Sequence, residues 1–576
     1  MADYKVKDGD TNLERPEDTQ VEAEQTTSRN QMVGFYQKAI EARREYEQGW
    51  LDITEKYIES FEGDSRDSDD FTVKSKLIFQ AHNLIVRRMQ IPGRKYESDA
   101  APARSTQIIR DGVSTVQDIG GFIEAMTADW AVYHRQVLTG NAPLLISSTG
   151  EKDNPVMYQP LNLFGCYFDP FALTMRTRNG RNEVKEFLYI EQMSYDEAKQ
   201  RFPDKSFVGG SLPVGSSWDR NEAYTDDQIQ EMESRVCEVG HYFNIQAKEP
   251  IYEVFVGSQA ISVLRKSGEE YGYQIGKKDI IPVVPFKMFS SPKGFYGYGL
   301  QILYDLCIVQ ERLRNMAFTH MGRNVDAISI LNVARGNAGA FMNQLYNARE
   351  LQKANEYSVI LNETGDQGGM ARMESLTSDP LTSEYERMQN ELTLEVKRCG
   401  FPIDEVDRPV TETATATKAE LGATTQFVQQ IQEINRDNYK DIELITMDII
   451  KKTAKGSTLP IITKLKNNEG MPINSPEASM GENGEKLEPI TLGDVADALS
   501  EYNITVSIDA RSGAYKTDTE RKMALSEAIQ VTGGQSQDIL SQYLELIGVE
   551  ASDMGGQAKA PEEQAVGQNL GVAEMI

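Results

Sequence analysis

From about Ser28 onward, apolar side chains return every three or four positions: Met32, Tyr36, Ala39, Ile40, Tyr46, Trp50, Ile53, Tyr57 and Phe61. That spacing lines one face of a helix, so a single long amphipathic helix is predicted, with Gly63 as its stop. The same spacing predicts a second helix over 71–89, ending ahead of Pro92, and a third over 105–138. Residues 1–28 carry eight acidic and three basic side chains with almost no apolar pattern. They read as a disordered acidic tail.

Beyond Pro143 the pattern changes to short runs rich in Val, Ile, Tyr and Phe, bounded by Gly, Asn, Asp and Pro. These predict strands at 144–147, 164–168, 184–192, 236–246, 251–256 and 261–264. One helix interrupts them at SYDEAKQRFP, where Ser194 caps and Pro203 terminates, and 207–227 is a Gly/Ser-rich surface loop. A further strand, DIIPVVPFKMF, leads through SSPKGFYGYG into an apolar helix over 300–322. A compact unit follows over 325–362, with strands at 328–333 and 357–361 around a helix at 338–354. Another helix, 382–399, is closed by Gly400 and Pro402. A loop then gives way to a helix over 413–455, about 60 Å long at 1.5 Å per residue. After the polar stretch 467–486 come the strand ITVSID, short helices at 517–531 and 537–548, and a patternless tail from 551. Helices and strands in separate runs predict an α+β fold.

Composition narrows the function classes. The chain of 576 residues is 39% hydrophobic and 26% charged, as in globular proteins, and no apolar run approaches the ~18 residues of a membrane span. The start, MADYKVKDGD, lacks the basic and apolar parts of a secretory signal, which places the protein in the cytoplasm. Cys166, Cys237, Cys307 and Cys399 form no CxxC pair, and His82, His134, His241 and His320 are scattered. Disulfides and a metal site are therefore not expected. A net charge of −28 opposes tight nucleic-acid binding, which needs Lys and Arg to displace counterions. It is compatible with a conduit whose wall repels phosphate, and equally with ordinary solubility charge.

Motifs for chemistry are missing. No GxxxxGK[ST], GxSxG or HExxH occurs. Gly297-Tyr298-Gly299 imitates the start of GxGxxG, but position 302 is Ile, and the pair reads as a flexible turn ahead of the helix. Acid pairs such as Asp404/Glu405 read as solvated surface. No enzyme and no cofactor are expected.

The run IIPVVPFKMFSSPKGFYGYGLQILYDLCIVQERLRNMAF, with Gln310 and Asn315 on its helix, resembles portal proteins of tailed bacteriophages. So does CGFPIDEVDRPVTETATATKAEL, similar to the segment where the family's second stem helix ends and its long helix opens. SYDEAKQRFPD is similar to a short helix in the same relative place.

The resemblance implies a wing, stem, clip and crown, arranged as a dodecameric ring around a central channel. Its divisions here are the tail 1–28, wing 29–296, first stem helix 297–324, clip 325–375, second stem helix 376–400, tunnel loop 401–412, wing helix and β element 413–510, crown 511–550 and tail 551–576. It assigns Asp404, Glu405, Asp407 and Arg408 to the DNA channel. Gln310, Arg312, Arg314, Asn315, Glu391 and Lys397 fall in the stem, and Asn332, Arg335, Asn337 and Asn343 on a clip interface. Its implied partners are eleven further copies, the terminase large subunit, head–tail adaptors, and the major capsid and scaffolding proteins. Double-stranded DNA would pass without sequence-specific contact. The ring would sit at the capsid vertex of the virion after assembly in the host cytoplasm, without a membrane. The rival readings are another ring-forming tail or baseplate protein and, further off, a nucleotide-binding enzyme.

Overall fold

The computed structural model describes residues 16–62, 74–98, 101–176, 182–202, 236–246, 251–256, 259–265, 273–275, 278–325, 328–334, 359–364, 372–376, 382–398, 425–462 and 489–510. Helix α1 runs from Pro16 to Glu62. It starts twelve residues before the expected end of the acidic tail, which corrects that expectation over 16–28. Pro16 fits a first helical turn, where its missing N–H is not needed.

The apolar stripe of α1 is buried as its spacing predicts, and it crosses three neighbours in turn. Met32, Phe35, Tyr36 and Ala39 pack on Leu188, Ile190, Tyr242 and Phe255. Tyr46 and Trp50 join a cluster with Phe168, Phe187, Phe295 and Tyr296. Ile53 and Tyr57 enter the main core. Arg43 on this face is fully buried, donating to the carbonyls of Phe164 (2.7 Å) and Cys166 (3.3 Å), pairing with Glu47 and lying over the Tyr167 ring.

Helix α2 (Leu77–Val86) is shorter than expected. The single helix expected over 105–138 is three: α3 (Ala103–Ile119), α4 (Phe122–Thr127) and α5 (Val132–Thr139). Gly120 and Gly121 make the first break. Gly121 adopts φ +74°, and a Cβ on Gly120 would lie 2.5 Å from the Val156 carbonyl oxygen. Two adjacent glycines inside an apolar repeat are where the helix gives way to a close backbone crossing.

Strands β4 (Cys166–Phe168), β5 (Glu186–Ser194), β6 (Val236–Asn244), β7 (Ile251–Val256) and β8 (Gln259–Arg265) form an antiparallel meander in sequence order. Helix α6 (Tyr195–Arg201) follows β5, and Ser194 caps it as predicted, its hydroxyl accepting from the Glu197 N–H. A second sheet orders β11 (Val283–Lys287), β2 (Asn141–Ser148) and β3 (Val156–Pro160). Strands β9 (Tyr273–Ile275) and β10 (Lys278–Ile280) pair as a small ribbon. β1 (Gly93–Glu97) pairs antiparallel with β15 (Thr505–Asp509), joining segments more than 400 residues apart in sequence. Of these, β1, β3 and β9 lack a strong apolar run and were not expected, and the strand expected over 279–289 is divided between β10 and β11.

Toward the C-terminus, residues 425–434 are helical, Asn435 interrupts, and α9 (Arg436–Thr453) continues. The unbroken helix expected over 413–455 is thus divided, and its start lies outside the described residues. Helix α10 (Leu492–Glu501), missed in the sequence, opens with a Thr491/Asp494 capping box. α9 lies across α3, β2 and β11 in the main core. There Glu443 is buried and receives Arg94 (2.8 Å), Gln117 (2.9 Å) and the Tyr96 hydroxyl. Tyr158 bonds Thr446 at 2.6 Å and Tyr133 bonds Tyr439 at 3.0 Å beside it. The mixture of helix and strand makes the fold α+β.

Candidate functional site

The candidate site is a helical hairpin rising from the core with a small sheet inserted at its far end. Helix α7 (Tyr304–Val325) follows a short 3-10 turn, Leu300–Leu303, and spans about 33 Å. Its partner α8 (Thr382–Arg398) spans about 25 Å and packs against it. Between them lies the sheet β13-β12-β14: β12 (Ile328–Ala334) runs parallel to β13 (Val359–Thr364) and antiparallel to β14 (Arg372–Leu376). The strands expected at 328–333 and 357–361 are present, and β14 is an addition. The helix expected at 338–354 lies outside the described residues.

The foot of α7 is held by glycines whose role differs from that expected. Gly297 and Gly299 do not serve a free turn but a backbone crossing against Gly140, the left-handed cap of α5. A Cβ on Gly299 would lie 2.4 Å from the Gly140 nitrogen and 2.6 Å from the Val137 carbonyl oxygen. The side-chain amide of Asn141 bonds both backbone groups of Gly297, at 2.7 and 2.9 Å. Gln301 donates to the Thr139 carbonyl at 2.8 Å. Leu300, Leu303 and Cys307 are then buried in the main core.

One turn higher, Glu311 accepts from the Ser75 N–H (3.0 Å) and from Lys56 of α1 (3.1 Å), which also bonds Glu59 (2.6 Å). Burial pulls the pKa of Lys56 down, but its two carboxylate partners outweigh that and raise it overall. The hairpin is thereby fastened to α1 by charge as well as packing.

Among the stem residues singled out in the sequence, Gln310 is half-buried and hydrogen-bonded to the Ser75 hydroxyl, so it faces the N-terminal helices. Arg314 and Asn315 are half-buried, and Arg312 is exposed. Glu391 is exposed on α8 and pairs with Arg387 at 3.2 Å. Lys397 falls within α8 and Asn332 within β12, paired in register with Asn362 and Arg372, but their side chains lie outside what is described. Arg335, Asn337, Asn343, Asp404, Glu405, Asp407 and Arg408 lie outside the described residues, as do the 511–550 unit and the tail from 551.

Exposure on the hairpin has a pattern that periodicity alone did not disclose. Among the described side chains, which on α7 end at residue 317, the open positions of α7 and the turn before it are Ile302, Asp305, Val309, Arg312 and Met316, spaced by alternating threes and fours. Ile302, Val309 and Met316 are 43%, 44% and 64% exposed, and on α8 Met388 and Leu394 are 48% and 51% exposed. Leu392 and Val396 are the buried side of α8.

Titratable groups meet elsewhere too. His82 and His134, far apart in sequence, stack with ring centroids 5.0 Å apart, and Tyr57 closes on His82 at 4.8 Å. Burial, then the neighbouring His134, lowers the His82 pKa to about 4. On the five-stranded sheet His241 is hydrogen-bonded through Nε2 to Glu191 at 2.9 Å and through Nδ1 to the Tyr252 hydroxyl at 2.9 Å. Burial alone would raise the Glu191 pKa, but His241 and Arg201 outweigh it and hold it below the usual range. Among the described residues no cluster of His, Cys, Asp and Glu has the arrangement of a metal site, and no helix is long and apolar enough to cross a membrane. Cys166, Cys237 and Cys307 are buried and form no disulfide among the described residues.

No protein-family model matches the chain, and a search of curated proteins returns no match.

Proposed function

We propose that this chain is a portal-type subunit: a ring of twelve copies around a channel that passes double-stranded DNA into a procapsid and out again. The observation that carries the reading is the hairpin of α7 and α8, rooted in a large core and carrying an inserted three-stranded sheet at its far end. Two helices standing side by side are suited to line a channel when copies repeat around an axis, and the inserted sheet projects from one end of such a bundle. The apolar residues left open at steps of seven on the first helix, Ile302, Val309 and Met316, favour burial against further copies over a monomeric life. A net charge of −28 suits a wall along which phosphates slide without being held.

In this reading the inserted sheet meets the terminase large subunit during packaging and head–tail adaptors afterwards. The wing meets capsid and scaffolding proteins, and the assembled ring resides at a virion vertex. Asp404, Glu405, Asp407 and Arg408 line the channel.

Electron microscopy of the purified protein is the test. Twelvefold rings with an axial hole are the expected result. A monomer or a closed dimer at micromolar concentration would overturn the ring.

A further inference from the structure

Helix α2 is fastened to the hairpin at one end and carries a buried histidine in its middle. Just ahead of it, Ser75 donates its N–H to Glu311 of α7 at 3.0 Å and bonds Gln310 through its hydroxyl. Leu77, Ile78, Ala81 and Ile85 of α2 share the main core with Cys307, whose thiol faces Ser75. Two turns beyond Ser75, His82 is wholly buried, and its Nε2 donates to the His134 carbonyl of α5 at 3.2 Å. The other ring nitrogen, Nδ1, is buried without a hydrogen bond among the described residues, Asn83 being the polar side chain beside it.

The Tyr57 ring of α1 lies 4.8 Å from His82 and the His134 ring 5.0 Å. Behind them stand the exposed Asp129, near His134, and Glu311 of α7, which Lys56 and Ser75 already occupy. A second proton on His82 therefore arrives at Nδ1, among rings and with no carboxylate paired to it among the described residues. A charge so placed is relieved when the short helix that carries it withdraws into water.

We propose that α2 is an acid-released latch on the foot of the hairpin: protonation of His82 draws α2 away from α1 and α5, and Ser75 leaves Glu311 and Gln310 with it. The upper part of α1 keeps its own hold through Phe35 and Trp50, so the opening is local. Above pH 6.5 the latch is shut. With a pKa of about 4 in the closed form and 6.5 once exposed, His82 makes the open form about twentyfold more populated at pH 5 than at pH 7. The latch works within a single chain and does not depend on a ring.

The Cys307 thiol reports the opening. Labelling by a dipyridyl disulfide, which reacts with thiols in acid, is followed at each cysteine by peptide mass spectrometry and divided by the rate of the urea-unfolded chain at the same pH. In the unaltered protein Cys307 is expected to label about twentyfold faster at pH 5 than at pH 7, with Cys166 and Cys237 unchanged. H82Q, which cannot take the charge, is expected to hold the Cys307 rate level. If H82Q labels fast at all three thiols at pH 7, its fold is lost, and H82F, which keeps a ring against Tyr57, takes its place. A Cys307 rate that does not rise in the unaltered protein, or that still rises in the folded His82 variant, would overturn the latch. So would a response removed by H134Q and not by H82Q. Equal acceleration of all three thiols would make the acid effect global and overturn it too.

Discussion

The side-chain amide of Asn435 completes the edge of a sheet: it accepts from the Lys287 N–H at 2.9 Å and donates to the Lys287 carbonyl at 2.7 Å. The same amide donates to the Ile431 carbonyl at 2.7 Å, where the helix breaks. Asn435 is fully buried, and without its side chain the Lys287 N–H loses this partner, while the Lys287 carbonyl keeps Gln136 and the Ile431 carbonyl keeps the Asn435 N–H. Asn435→Ala is expected to cost about 1–3 kcal/mol in unfolding by urea, the usual cost of one stranded group. Asn435→Asp is expected to cost more at neutral pH, since it loses the donor and buries a charge.

Gly299 and Gly49 give opposite expectations for one methyl group. At Gly299 the Cβ meets backbone atoms at 2.4–2.7 Å, which cannot move aside without shifting α5. At Gly49, inside α1, the only near atom is the Gln301 Cγ at 3.6 Å. Gly299→Ala is expected to lower the melting temperature markedly or to prevent folding. Gly49→Ala is expected to raise stability by roughly 0.5–1 kcal/mol, the usual difference in a helix interior.

His82 makes stability depend on acid. It is packed by Tyr57 of α1 and by His134 of α5, with Asn83 beside it and the exposed Asp129 next to His134. Its folded-state pKa of about 4 lies below the ordinary 6.5, so its neutral form is favoured by folding. Its contribution is complete above pH 6.5 and is lost as pH falls toward 4, because the unfolded chain takes the proton first. The loss is roughly 3 kcal/mol across that window. Denaturant titrations at several pH values should show a shallower acid decline for His82→Gln. An unchanged decline would assign it to other groups.

Glu443 should behave as one member of a buried set. Glu443→Ala leaves the half-buried Arg94, the Gln117 amide and the Tyr96 hydroxyl without their shared acceptor and is expected to cost about 2–3 kcal/mol. Replacing both, as in R94M/E443L, is expected to cost clearly less, which a comparison of thermal unfolding curves would reveal.

If Asp404, Glu405 and Asp407 line a channel, replacing all three by Lys adds phosphate contacts. DNA translocation in a packaging assay is expected to slow while rings still form. Unchanged packaging would take this loop off the channel wall.

Local pattern foretold the elements whose partners are near in sequence or whose apolar period is strong. The stripe of α1, the meander from β4 to β8, the Ser194 cap and the two hairpin helices were all legible. What escaped depends on distant partners. The polar strand β1, GRKYE, exists because Thr505–Asp509 pairs with it from the other end of the chain. Gly297 and Gly299 looked like a turn because nothing local announces Gly140 beneath them. The break at Asn435 has the same origin in Lys287. On the hairpin, periodicity marked both helices as apolar without telling which face the chain's own core would cover, so the open stripe emerged only from exposure.

Helix α1 touches the five-stranded sheet near Phe35 and the foot of the hairpin near Tyr57. These contacts lie about 33 Å apart along one uninterrupted helix. Such a helix acts as a strut: a push on the sheet arrives at the hairpin's foot with little lost in bending. Any load borne by one end of the molecule is thus shared with the other through a single piece of secondary structure.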